Sequence, residues 1–151
     1  MIPSSAMRVR VVAVGKLKEP YWRQAVDEYL ARLRRYADVT EIELKDDSPL
    51  QVSKAMRRAI PERARVVLLT IDGRARSSEE LAAFVEQCAV RAEELVFVVG
   101  GADGIPADVL AEHADRLSLS RMTLPHRLAR LVLVEQLYRA MTIRRGEPYH
   151  H

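Results

Sequence analysis

Cysteine is all but missing from this chain. Cys88 is the only one in 151 residues, which excludes an internal disulfide framework and a cysteine-based zinc centre. Apolar runs reach no more than about six residues, far below the ~20 that span a bilayer. Met1 to Ala6 lack the basic start and apolar core of a secretion signal. Residues 1–6 therefore read as an N-terminal extension, with Met7 as the working start, and the protein is expected to be soluble and cytoplasmic. Glycine is scarce as well, at six residues. None of them forms a Gly-x-Gly-x-x-Gly turn or a Gly-Lys-Ser/Thr phosphate loop, which disfavours dinucleotide and nucleoside-triphosphate enzymes. The histidines have no cysteine or carboxylate cluster beside them in sequence, so no metal site is expected.

What is present is a chain of one-domain size, 48% hydrophobic and 30% charged, able to bury a core without a staple. Residues 7–151 read as a single domain. Net charge is only +3, but it is unevenly spread. From residue 116 onward, Arg116, Arg121, Arg127, Arg130, Arg139, Arg144 and Arg145 face only Glu135 and Glu147. Grouped in this way, the arginines point to a polyanionic partner such as RNA.

Hydrophobic periodicity predicts alternating strands and helices. Strands are expected at Arg8–Val14, Val39–Leu44, Val66–Ile71, Leu95–Val99 and Leu117–Leu119. Between them, helices are expected from Pro20, from Leu50 to about Arg63, from the Ser77/Glu80 capping box to about Ala92, and after Pro106. A last helix should run from Arg127 to about Arg145. The third and fourth strands are short, continuously apolar and separated by a helix, the pattern of parallel neighbours buried on both faces. An α/β fold with a parallel sheet follows.

In such a sheet, ligands bind beyond the carboxyl ends of the strands. Three segments leave those ends: Thr70-Ile71-Asp72, then Gly100-Gly101-Ala102-Asp103-Gly104, and Ser120-Arg121-Met122-Thr123-Leu124-Pro125. The glycines let main-chain N–H groups approach a ligand closely, and the third segment mixes apolar and small polar residues as the lining of an apolar slot would. The last helix is apolar over too broad a face for one core contact, which predicts a homodimer. Tyr149 and His150 in the tail are residue types that stack on a splayed RNA base.

Read together, the Gly-Gly-x-x-Gly turn after an apolar strand, Leu119-Ser-x-x-Thr-Leu-Pro-His126, Glu135-Gln-Leu-Tyr-Arg-Ala140 and the terminal Pro148-Tyr-His150 resemble the ribosomal RNA large subunit methyltransferase H family of the SPOUT class, over essentially the whole chain from Met7. The resemblance implies a parallel-sheet SPOUT methyltransferase fold with a deep C-terminal trefoil knot, S-adenosylmethionine as cofactor, and a homodimer. It further implies methylation of N3 of a pseudouridine in helix 69 of 23S ribosomal RNA on the assembled ribosome. Carried over by motif, Ile71, Gly100, Gly101, Gly104 and Ser120 through Pro125 (Arg121, Met122, Thr123 and Leu124 between them) fall at cofactor-contacting positions. His126, Arg139, Tyr149 and His150 fall near the incoming base, with His150 of a partner or Arg139 in the catalytic role. Two other readings compete with this one: a non-catalytic ribosome-binding or assembly factor, and a SPOUT enzyme acting on transfer RNA.

Overall fold

Ten elements alternate along the chain in a computed structural model that describes residues 7–151; the extension at residues 1–6 lies outside the described residues. They are β1 (Arg8–Val14), α1 (Pro20–Leu33), β2 (Asp38–Leu44), α2 (Pro49–Ala59), β3 (Arg65–Ala75), α3 (Ser78–Val90), β4 (Leu95–Val99), α4 (Ala107–Glu112), β5 (Arg116–Ser118) and α5 (His126–Arg144). The strands form one sheet in the order β2-β1-β4-β3-β5, and every pairing is parallel. The α/β reading and the β3–β4 neighbourhood both hold.

The two-residue period of a strand explains the layering. In β4, Leu95, Phe97 and Val99 join the core formed with α1, α3 and α5, whereas Val96 and Val98 join the one formed with α2 and α4. All five β4 residues are buried, so the sheet is covered on both faces, as its uninterrupted apolar sequence requires. Truncating Phe97 to alanine would cost about 3–5 kcal/mol through lost burial and the cavity left behind.

Helix boundaries follow their local chemistry. Ser77 and Glu80 form the reciprocal capping box that starts α3, and the Ser48 hydroxyl accepts from Gln51 N at the start of α2. Helix α2 stops at Ala59, four residues before the expected Arg63. Ile60 precedes Pro61 and adopts φ −100°, ψ 115°, because a residue before proline is driven out of the helical region. Helix α3 likewise ends at Val90, and Ala92 takes φ 54° in the turn that follows.

The largest departure from expectation is in β3, which runs to Ala75 rather than ending near Ile71. Its pairing with β5 breaks after Leu69↔Leu117 and resumes at Arg74↔Leu117, so residues 70–73 are thrown out as a bulge. Gly73 makes the return possible: a Cβ there would lie 2.8–2.9 Å from the backbone of Arg116 and Leu117.

Candidate ligand cleft and C-terminal cluster

The carboxyl ends of β3, β4 and β5 open onto a mainly apolar cleft of about 170 Å³. The β3 bulge supplies Thr70 and Ile71, the glycine turn supplies Gly100, Gly101, Gly104 and Ile105, and the β5–α5 segment supplies Leu119, Ser120, Met122, Thr123 and Leu124. His126 and Ala129 close it from the first turn of α5. The structure thus brings Ile71, the three glycines, four of the six residues from Ser120 to Pro125, and His126 around one space. Arg121 and Pro125 do not line it. Arg121 is exposed, and Pro125 is the N-cap residue of α5.

The glycine turn is tighter and more specialised than its composition alone indicates. Gly104 N donates to Gly101 O at 3.0 Å, and only Gly104 of the three takes a positive φ, +76°. Gly100 is needed for a different reason, since a Cβ on it would sit 2.6 Å from the Gly104 carbonyl carbon. At Gly101 a Cβ would meet Val14 Cγ1 of β1 at 3.1 Å; its missing side chain makes room for the core.

On the opposite wall, the Ser120 hydroxyl accepts from Met122 N at 2.9 Å and Ser118 Oγ donates to Ser120 O at 3.0 Å, a local turn that holds the segment in place. Ile71 and Met122, large apolar residues at the cleft, are 57% and 78% exposed. Thr70 Oγ1 is buried in the cleft wall with no hydrogen-bond partner among the described residues. A buried hydroxyl without a partner is costly and marks a place where a ligand polar atom fits. Thr70 sat in plain view at the end of the third strand, but only its burial identifies it.

The other predicted residues cluster elsewhere. Arg139 Nη2 donates to Glu135 Oε2 at 2.8 Å, and Tyr149 OH donates to the same oxygen at 2.7 Å. Arg139 Nη1 is 3.0 Å from His150 Nδ1, and His150 Nε2 contacts Glu79 at the start of α3. Tyr149 packs edge-on against Tyr138 with ring centroids 4.6 Å apart. Burial, reinforced by Glu135, pushes the Tyr149 phenol well above its ordinary pKa, so it acts as a donor rather than a base. Glu135 raises the Arg139 pKa in turn. From His126 to Arg139 is thirteen residues of α5, or roughly 20 Å of helix at ~1.5 Å per residue. Within the chain, the cleft and the tail cluster are separate.

The arginine-rich C-terminal end needs a correction. Arg130 is buried, with Nη1 2.5 Å from Glu43 Oε2 and 3.2 Å from Glu41 Oε2, and Nη2 2.9 Å from Gly15 O. Arg144 pairs with Glu86, Arg127 lies 3.6 Å from Glu19, and Arg116 donates to Leu110 O. Most of the charge grouped in sequence is spent inside the fold. The sequence signal for Arg130 was the Glu41-x-Glu43 alternation, which puts two carboxylates on one face of a strand.

No metal-binding group of histidine, cysteine or acidic residues occurs among the described residues. No described helix is long and apolar enough to cross a membrane.

Comparison with known proteins agrees with this architecture. Residues 7–150 match the family described as Predicted SPOUT methyltransferase. The chain is 52% identical over 146 residues to Ribosomal RNA large subunit methyltransferase H of Sorangium cellulosum, covering 96% of this chain and all of that one. It is 46% identical to the protein of that name from Listeria monocytogenes serotype 4b and 42% identical to that from Bacillus cereus, covering 95% of this chain and 99% of theirs in each case. The crystal structure of a methylase family protein from Neisseria gonorrhoeae superposes with a TM-score of 0.58 at 12% identity, over all of this chain and 89% of that one, a likeness of fold. A parallel sheet with its cleft beyond β3, β4 and β5, matched along nearly its whole length, makes this chain a member of the SPOUT methyltransferase family.

Proposed function

We propose that the protein is an S-adenosylmethionine-dependent methyltransferase of ribosomal RNA, acting on N3 of a pseudouridine in helix 69 of 23S rRNA within the assembled ribosome. The observation that carries the reading is the cleft itself, apolar and bounded by a glycine turn that tolerates no Cβ at Gly100, in a chain whose relatives are named as rRNA methyltransferases. S-adenosylmethionine supplies an electrophilic methyl group on a sulfonium when bound. The residues present fit it: Leu119, Leu124 and Ile105 offer apolar walls, and the unpartnered Thr70 hydroxyl and the main chain of Gly100–Gly104 offer polar contacts. We also infer that the C-terminal segment is threaded as the family's trefoil knot. Its support is the convergence of the residue 70–73 bulge, the glycine turn and the Ser120–Pro125 segment on one cleft.

Methyl transfer to N3 requires orientation and removal of the N3 proton. Orientation falls to the cleft walls, which hold the reactants in line and exclude water. Of the tail residues, His150 would accept the proton at Nδ1 once that nitrogen is released from Arg139, and Arg139 has a guanidinium able to stabilise charge developing on the ring. Because roughly 20 Å of α5 separates them from the cleft of their own chain, the complete site is assembled in a homodimer, where one protomer's tail serves its partner's cleft. The exposed Ile71 and Met122 beside the cleft suit that arrangement.

Protomer mixing tests it. Thr123→Trp, which fills the cleft, and a chain truncated after Pro148 should each be inactive alone, and heterodimers of the two should regain part of the wild-type activity. Heterodimers that form but stay inactive would place the whole site within one chain.

A further inference from the structure

The β3 bulge has a second face. Asp72, Gly73 and Arg74, with Arg116 of β5, Arg76 and Phe84, line a separate hollow of about 280 Å³ behind the cleft. Leu117 lines the cleft and Arg116 the hollow.

The charges around the hollow are out of balance. Asp115 is engaged by Arg65 at 2.7 Å, and Arg116 gives one donor to Leu110 O at 2.8 Å. Arg74 and Arg76 have neither an ion pair nor a side-chain hydrogen bond among the described residues, and Asp72 is the one other carboxylate in the lining. The Arg76 guanidinium is 4.6 Å from the centre of the Phe84 ring, held over an apolar platform. Burial, together with the Arg74 charge, pulls its pKa below the ordinary value, outweighing the opposing pull of the Glu80 and Asp115 carboxylates. A desolvated cation beside a second cation is unfavourable, and a bound anion relieves it. Position adds to the case: α3 begins two residues after Arg76, and its Glu79 touches His150 of the tail.

We propose that this hollow is an anion site that takes a backbone phosphate of the RNA substrate, with the Arg74 and Arg76 guanidinium forks as its main ligands. The inference rests on the RNA reading above and adds a contact that reading does not contain. Guanidinium forks match phosphate oxygens in pairs. The exposed Arg74 at the mouth suits a chain running past more than a small molecule enclosed within. A phosphate held here would fix the strand relative to the tail cluster while leaving the donor cleft free.

The test is binding of a labelled helix 69 RNA fragment to the full chain across a salt series from about 50 to about 200 mM, where each phosphate contact contributes ~0.7–0.9 to the log–log slope. For the Arg74→Ala/Arg76→Ala double variant, the slope should be shallower by about one, RNA affinity at low salt should fall ~10-fold or more, and S-adenosylmethionine affinity should be unchanged. Arg74→Ala alone alters an exposed side chain and should show the smaller effect without threatening the fold, while Arg76→Lys, which keeps the charge but not the fork, should keep most of the salt slope and lose part of the affinity. An unchanged slope and affinity in the double variant would overturn the inference while leaving the methyltransferase reading intact. Retained RNA affinity combined with lost orthophosphate binding would also overturn it, assigning the hollow to a free anion. A wild-type chain that binds neither the fragment nor the ribosome would remove the RNA substrate, and this contact with it.

Discussion

Arg130 of α5 and Glu43 of β2 meet at 2.5 Å, joining the helix that closes the ligand cleft to the edge strand at the far side of the sheet. Arg130 is only 2% exposed, and it also holds Gly15 O at the end of β1. Glu43 has further partners in Arg23 and Leu17 N. Arg130 therefore anchors the first turns of α5, from which His126 and Ala129 face the cleft.

Removing that cation leaves the half-buried Glu41 and Glu43 with Arg23 as their remaining cation. Arg130→Ala should destabilise the protein by about 1–3 kcal/mol in chemical unfolding. Glu43→Gln should cost less, because Glu41 and Gly15 O still hold the arginine. Equal stability of Arg130→Ala and wild type would mean the network contributes nothing.

Gly101→Val separates two roles of the glycine turn. Because a Cβ at that position already presses on Val14 at 3.1 Å, the substitution should overpack the core beneath β1 and cost about 1–3 kcal/mol. Thermal unfolding should show the loss before any ligand is added. A variant of wild-type stability that fails only to bind S-adenosylmethionine would instead place Gly101 directly against the ligand.

His126 sets a pH dependence. Burial, aided by Arg127 and Arg130, holds its imidazole below its ordinary value of 6.5. As pH falls through 6.5, the unfolded chain takes up the proton first, so the folded state loses stability until its own lower pKa is passed. Above 6.5 the group contributes no slope. Unfolding free energies of wild type and His126→Gln, compared between about pH 7.5 and 5.5, should show the steeper acid loss in wild type. Parallel curves would contradict the assignment.

Loss of the tail should divide binding from catalysis. Removing Tyr149 to His151 deletes the hydrogen bond to Glu135 and the contacts of His150 with Arg139 and Glu79, yet leaves every residue of the cleft in place. S-adenosylmethionine affinity measured by calorimetry should be within a few-fold of wild type, and methyl transfer should be lost. Full activity after truncation would show that the tail plays no part.

Much of this architecture is legible in the residues themselves. The uninterrupted Leu95–Val99 run marks a central strand, Ser77 and Glu80 mark a helix start, and Thr123-Leu124-Pro125-His126 marks the cleft wall where it turns into α5. The β3 bulge was hidden because residues 70–73 read as an ordinary turn; nothing local says that Arg74 and Ala75 return to pair with β5. Arg130 was misplaced for a related reason. An arginine among arginines reads as surface, and its counterions lie 87 and 89 residues away in sequence. Long-range pairing of this kind is a property of the folded sheet, and periodicity carries no trace of it. The separation of the tail from its own cleft is likewise a matter of helix length, which becomes informative only once both ends of α5 have neighbours.

The most direct measurement is transfer of labelled methyl from S-adenosylmethionine to ribosomes lacking the modification, with the modified nucleotide mapped by mass spectrometry. Label on N3 of the helix 69 pseudouridine is the predicted result. Cofactor binding without transfer to the ribosome, or label at another nucleotide or on transfer RNA, would contradict the proposed substrate. Absence of both binding and transfer would leave a ribosome-binding factor that has kept the fold without the reaction.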